Sequence, residues 1–369
     1  SNDPYPNTHI APIPLKIAGR TTGQAINRSR NKVECVMRRL VWFCLTMIAL
    51  WCGYWFFAAH WLTKGAEIWA QAQRDRGWAA DIQHAETTGF PLRLDTRLTD
   101  IRLADPDTGL GWNAPWFVYS TRAYKLNQLF VEFPPNHRLF APGQILDITS
   151  SNMQGTLRLR PNTSLALDHA AFDLADLQLN ANAGWTAGIS SGDFDLNRIA
   201  DTDATYNIAL TATDLRPGDG LKFTIDPAGR LPDVFQTFQM NATIGFDRPW
   251  DRAAIEQARP QPRTIDLKLV QANWGKLELR LAGQLNVDTQ GRPTGSITLK
   301  ATNWRDILQL AVENGVVPRN LVGLLAGALD GLSRASGPPN TLDVPITLAD
   351  GQMKIGFIPL GPAPRLILR

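Results

Sequence analysis

Gly188-Ile189-Ser190-Ser191-Gly192 has the Gly-x-Ser-x-Gly spacing of a nucleophile elbow, in which a strained strand-to-helix turn lifts a serine towards a histidine base. That chemistry needs an acid and then a histidine later in the chain, yet the last histidine, His169, precedes Ser190. The residues that follow, Asp193-Phe194-Asp195-Leu196, alternate like a strand where the elbow requires a helix. A Gly/Ser turn is the reading these residues favour. The five histidines (His9, His60, His84, His137 and His169) show no i, i+4 pairing and no cysteine partner, so their spacing does not point to zinc. Cys35, Cys44 and Cys52 are the only cysteines, which leaves everything after residue 63 without a thiol nucleophile or thiolate ligand. No Gly-rich loop ends in Lys-Ser/Thr, and no Gly-x-Gly-x-x-Gly opens a helix. Asp100, Asp105 and Asp107 lie near turn residues, where Asp is common for conformational reasons. The expectation is therefore no enzyme: no catalytic, metal-binding or cofactor-binding residue and no cofactor.

What the sequence does specify is placement. From Leu40 to Thr63 the 24 residues LVWFCLTMIALWCGYWFFAAHWLT carry no charge. As a helix they reach roughly 36 Å, enough for a hydrocarbon core of about 30 Å. The run is too long for a signal-peptide core, and the small pair Ala58-Ala59 lacks small-x-small spacing, so an uncleaved anchor is expected. Up to Thr63 there are seven Lys/Arg against Asp3 and Glu34, a surplus of five, whereas the remainder has 30 basic and 32 acidic residues. Arg38 and Arg39 flank the inner edge, and Trp42 and Trp61 sit near the two ends, where an aromatic belt belongs. These biases predict a cytoplasmic basic leader over 1–39, a transmembrane helix over 40–63, a juxtamembrane helical extension over 64–76 and a periplasmic β-rich domain over 77–369. A start at Ser1 fits removal of an initiator Met and a cytoplasmic amino terminus. The near-neutral body offers no concentrated basic face for nucleic acid.

After Gly77 the pattern becomes short alternating runs separated by Asp, Asn, Gly and Pro. Leu92, Leu94 and Leu98 alternate with charged residues, as do Leu157 and Leu159; Leu165 and Leu167 follow a Pro161-Asn162 turn, and Leu174, Leu177 and Leu179 continue the series. Lys276–Val287 and Thr294–Ala301 read as a hairpin, with Leu277, Leu279 and Leu281 on one face and Ile297 and Leu299 opposite. This predicts a mainly β protein: one N-terminal transmembrane helix, then a large curved antiparallel meander of about a dozen strands. One helical insertion is expected near residues 303–334. In it Asn303 caps Trp304–Glu313, and Pro318 opens a second helix to about Arg334, ahead of Gly337-Pro338-Pro339. Gly323, Gly327 and Gly331 repeat along one helix face, with close packing on the sheet expected ahead of a membrane-helix contact.

Certain strings resemble the bacterial family known as domain of unknown function 2125. They are Gly77-Trp78-Ala79-Ala80, Thr88-Gly89-Phe90-Pro91-Leu92-Arg93-Leu94-Asp95, Arg102-Leu103-Ala104-Asp105-Pro106, Gly111-Trp112-Asn113-Ala114-Pro115, and the closing Ala349-Asp350-Gly351-Gln352-Met353-Lys354-Ile355-Gly356-Phe357-Ile358-Pro359-Leu360. The resemblance implies an inner-membrane-anchored envelope protein and carries no catalytic residues. In texture the chain is more distantly similar to AsmA-like envelope proteins, which implies an apolar sheet face that handles lipid. A one-faced sheet must cover its apolar side with helices, a second sheet or a ligand, and the single helical insertion is short for the task. Leu277, Leu279, Leu281, Ile297 and Leu299 are accordingly the candidate lining of a lipid groove. Membrane lipids are the expected partners. The alternative is an accessory or scaffolding subunit of an integral membrane complex.

Overall fold

Residues that alternate apolar and polar satisfy both backbone and side chains by pairing into a sheet with one apolar face. The computed structural model follows that rule and describes residues 22–219, 226, 229, 231–256, 259–313, 322–336, 340–356 and 358–368. It opens on α1 (Thr22–Asp75), within which Val36–Asp75 is, among the described residues, the one helix long and apolar enough to cross a membrane. Gly77, with φ +92°, turns the chain out of the helix. The chain divides into two compact units, Ser1–Phe57 and Ala58–Arg369.

The second unit is a sheet of 17 strands among the described residues, more than the dozen expected. In chain order they are β1 (Ala79–Thr88), β2 (Arg93–Asp105), β3 (Leu110–Arg122), β4 (Lys125–Glu132), β5 (Asn136–Ala141), β6 (Gln144–Thr149), β7 (Asn152–Leu159), β8 (Leu167–Ala181) and β9 (Thr186–Arg198). After them come β10 (Thr205–Leu215), β11 (Phe235–Phe246), β12 (Pro262–Trp274), β13 (Leu277–Val287), β14 (Pro293–Thr302), β15 (Thr341–Ala349), β16 (Gln352–Ile355) and β17 (Ile358–Pro362). Among the described residues three short helices punctuate the series: α2 (Arg252–Glu256), α3 (Trp304–Glu313) and α4 (Val322–Ser336).

The pairing is an antiparallel meander with one local complication. β3 pairs with β4 at Val118–Arg122 and with β5 at Gly111–Asn113, so β4 and β5 form one interrupted row. β6 and β7 form the next, both pairing with β8. From β8 to β17 each strand pairs with its successor.

Strict period two is broken inside some strands by a single left-handed residue. In β2, Leu94, Thr96 and Leu98 are buried, then the phase shifts to Ile101 across Asp100, whose φ is +51°. Asp176 (φ +50°) explains why Leu174 and Leu177 are three apart in β8. A left-handed residue advances the chain without reversing the side-chain direction, as a bulge does, and Asp tolerates that conformation better than a branched residue.

Other expectations need correction. Leu165 has φ +51°, is exposed and precedes β8, and Leu92 lies exposed in the turn before β2, so neither is a strand position. Asn303 does not cap α3 with its side chain: its amide donates to the Lys276 carbonyl, while its own carbonyl accepts from Asp306 N at 3.0 Å. Gly323, Gly327 and Gly331 are exposed, with nothing within 4 Å of an added Cβ, so this face of α4 does not pack on the sheet; Leu329 and Ser333 are buried instead. The expected helix start at Pro318, the Gly337-Pro338-Pro339 break and the leader up to residue 21 lie outside the described residues.

Candidate functional site

Residues directly opposite one another in an antiparallel pair point to the same side of the sheet. Following such partners from strand to strand defines a single line: Val131, Gly155, Phe172, Phe194, Leu210, Met240, Val270, Leu281, Leu299 and Val344. Ten consecutive positions on ten strands are apolar or glycine. At about 4.8 Å between strands the line is roughly 43 Å long. Gly155 does not interrupt it, because the Phe172 ring occupies its place: an added Cβ would lie 2.6 Å from that ring. A parallel line one side over runs Leu157, Ala170, Leu196, Ile208, Ala242 and Leu267.

The opposite face is of different character. Asp173, Asp193, Thr211, Gln239, Gln271, Arg280, Lys300 and Asp343 form the corresponding line there. Charged and amide side chains on that side keep it hydrated, which leaves the apolar face as the one that requires a partner.

Cover is present at both ends of the apolar line. At the carboxyl-terminal end, Trp304, Ile307 and Leu308 of α3 and Leu329 of α4 pack with Ala301, Leu342 and Val344, and Val344 has no exposed surface. At the other end, the line continues past Val131 to Tyr119, Thr96 and Thr87, where α1 lies against the sheet. The hydroxyls of Thr63, Thr87 and Thr96 are linked at 2.9 Å, and Tyr119 OH donates to the Leu62 carbonyl at 3.2 Å. Burial pushes the Tyr119 phenol above its ordinary pKa. Ala66 of α1 joins Ile82, Ala85 and Leu98 in the core beneath.

Between these covers, Phe172, Phe194, Leu210, Met240, Val270 and Leu281 are half-buried. The Phe172 and Phe194 rings are 6.4 Å apart, centroid to centroid. Near one margin of the strip, Tyr206, Phe246 and Trp250 stack edge to face, and Ala170, Leu196 and Tyr206 make a small buried core. The adjoining strand ends are tied by Asp168, which accepts from Arg158 at 2.8 Å and from Arg198 at 3.1 Å. Partial burial pushes the Asp168 carboxyl up, but the two guanidiniums outweigh it and hold it below the usual carboxylate range.

The five residues singled out from sequence fall into two settings. Leu277 is buried at the start of β13, and Leu279 and Leu299 pack against the α3–α4 core. Leu281 and Ile297 are half-buried farther from that core, Leu281 on the line itself and Ile297, opposite Gly283, on the parallel line through Leu267. The structure places Leu210, Met240, Phe194 and Phe172 on the same line, and sequence reasoning missed them. Their spacing within each strand was visible; their alignment across strands depends on register. Arg38, Arg39, Trp42 and Trp61 all lie on α1 with exposed side chains.

Other candidate chemistry is dispersed. Ser190 sits exposed in the middle of β9, with strand on both sides, so no elbow exists. His137 is buried against the Pro134 carbonyl at 3.2 Å, and burial lowers its pKa despite that bond. Among the described residues no group of three His, Cys, Asp or Glu side chains is placed to hold a metal. A depression of about 510 Å³ on the polar face is lined by Arg122, Glu132, Gln154 and Asp173 among others, without a convergent donor set.

Residues 55–364 match the family described as "Uncharacterized protein conserved in bacteria (DUF2125)". No curated protein and no solved structure matches the chain.

Proposed function

The chain belongs to this bacterial family, and from that premise we propose that it is a single-pass inner-membrane protein whose sheet stands in the periplasm and carries acyl lipid on its apolar face. The observation that supports this reading is the half-buried apolar line from Phe172 to Leu281. One leaflet contributes about half of a ~30 Å hydrocarbon core, so the uncovered stretch from Phe172 to Leu281, six strands and roughly 24 Å across, accommodates one acyl chain along its length. Removing that surface from water is favourable for any apolar occupant, at roughly 25 cal/mol per Å². The reading is non-enzymatic: the strip binds and shields, and no step of bond making is assigned to it.

Orientation follows from the basic leader and the weakly charged far flank. A phosphatase fused after residue 80 is expected to be active, and one fused before residue 39 inactive; the reverse pattern removes the periplasmic placement. Native mass spectrometry of gently purified protein, with lipid extraction, tests the cargo. Wild type is expected to retain phospholipid. A wild type that carries none but co-purifies with an integral membrane complex supports the accessory-subunit reading in its place.

A further inference from the structure

Two hairpin turns next to α1 carry side chains ill suited to water. Phe90 (50% exposed) and Leu92 (57%) lie in the β1–β2 turn; Tyr124 (62%) lies in the β3–β4 turn, and Leu126 (51%) follows it in β4. Outside α1 the described residues include nine exposed large apolar or aromatic side chains, and these are four of them. The turns adjoin: Arg93 faces Arg122 at the strand ends, and Ala123 N–H donates to the Leu92 carbonyl at 2.9 Å. The first turn is tight, with Gly89 at φ +100° and Arg93 N–H returning to the Gly89 carbonyl at 2.9 Å.

Their height along α1 is set by three contacts. Arg74 donates to the Ala80 carbonyl at 2.6 Å, Ala66 packs in the core with Ile82 and Ala85, and Thr63 meets Thr87 at 2.9 Å. β1 therefore runs back along α1, from its carboxyl end towards Thr63. Thr63 closes the uncharged run and Lys64 is the first charge after it. Phe90 lies three residues beyond Thr87, which carries the turn up to roughly 10 Å farther at about 3.3 Å per residue. The tips thus stand beside Ala58–Leu62 of α1, past the charged stretch that begins at Lys64. An interfacial segment buries its apolar side to a depth of about 5–10 Å, with cations at the headgroup level. Arg122 and Lys125 occupy the shoulder of the turns, where such cations belong.

We propose that these two turns insert into the headgroup–acyl boundary beside α1, and that Arg122 and Lys125 engage anionic lipid headgroups. The proposal rests on α1 spanning the membrane, and it gives the sheet a second attachment to the bilayer surface.

The test uses the full chain with its three cysteines replaced by serine. Single labelling sites are introduced by Leu92→Cys, Tyr124→Cys, Leu110→Cys or Leu50→Cys, each carrying an environment-sensitive fluorophore. The vesicles contain phosphatidylethanolamine, phosphatidylglycerol and spin-labelled lipid. Leu110, exposed at the opposite end of β2–β3, reports on water; Leu50 reports on the span. Labels at 92 and 124 are expected to be quenched several-fold more than the label at 110. If 92 and 124 behave like 110 while 50 is quenched, α1 spans and the turns stay in water, which overturns the proposal alone. An unquenched label at 50 overturns the spanning reading and this proposal together. Arg122→Glu with Lys125→Glu is expected to reduce quenching at 92 in these vesicles and to leave it unchanged in phosphatidylcholine. Equal quenching of the charge variant and its parent in both lipids removes the headgroup role.

Discussion

The line from Thr87 to Val344 keeps the same side-chain geometry throughout and meets three surroundings. Under α1 it is buried and partly hydroxylic, with Thr96 fully buried and satisfied by Thr87. Under α3 and α4 it is buried and apolar, with Val344 fully buried. In the middle, from Phe172 to Leu281, the same alternation leaves the side chains half-buried. The difference lies in what is laid over the sheet. The covered ends are sealed for stability, while the middle retains apolar surface that a ligand can stabilise.

Introducing a carboxylate at matched points should separate the two regions most sharply. Val344→Asp places a charge where no surface is exposed, so it is expected to cost several kcal/mol and to abolish folding, as read by soluble yield and thermal melting. Leu279→Asp, beside the same helical core, should behave alike, whereas Glu278→Lys on the hydrated face loses only a partly exposed pair with Arg280 and should cost about 1 kcal/mol or less. In the middle, Leu210→Asp or Met240→Asp should leave a folded protein that retains much less lipid. If either unfolds the chain as completely as Val344→Asp, the middle of the strip is core and the lipid reading fails.

A smaller effect is expected from the ion pairs at the margin of the strip. Asp168→Asn removes the carboxylate shared by Arg158 and Arg198 and should cost about 1 kcal/mol. Because the folded-state pKa of Asp168 is depressed, its contribution is present above the ordinary Asp range and is lost as pH falls through the lowered value. Melting temperatures of wild type and Asp168→Asn should therefore converge in acid; a constant gap across that range contradicts the assignment. Smallest, and of opposite sign, is the response of α4. Gly327→Ala has room for its methyl group and should stabilise by about 0.5–1 kcal/mol, since alanine loses less backbone entropy in a helix. Destabilisation would show that this exposed glycine face packs against something after all.

Legibility in the sequence varied with the range of the interaction that decided each feature. The uncharged run Leu40–Thr63 and the hairpin of Leu277–Val287 with Pro293–Thr302 were readable, because chain-local hydropathy and turn chemistry specify them. The extent of α3 was readable too, including its start at Trp304, but not how that start is held: the Asn303 side chain bonds to Lys276, 27 residues away, instead of capping locally. Leu165 was misread because alternation alone does not reveal a left-handed residue. The glycine face of α4 was misread because nothing local states which side of a helix meets the sheet.

By itself, then, the sequence determined a helix long and apolar enough to cross a membrane, a one-faced alternation and the absence of a recognisable catalytic motif, all of which are properties of residue type at short spacing. Only the tertiary structure decided which apolar residues form one continuous line, which of them α1, α3 and α4 cover, and that the Phe90 and Tyr124 turns adjoin. Those outcomes depend on register between strands. A shift of one residue would send each side chain to the opposite face while leaving every local pattern unchanged.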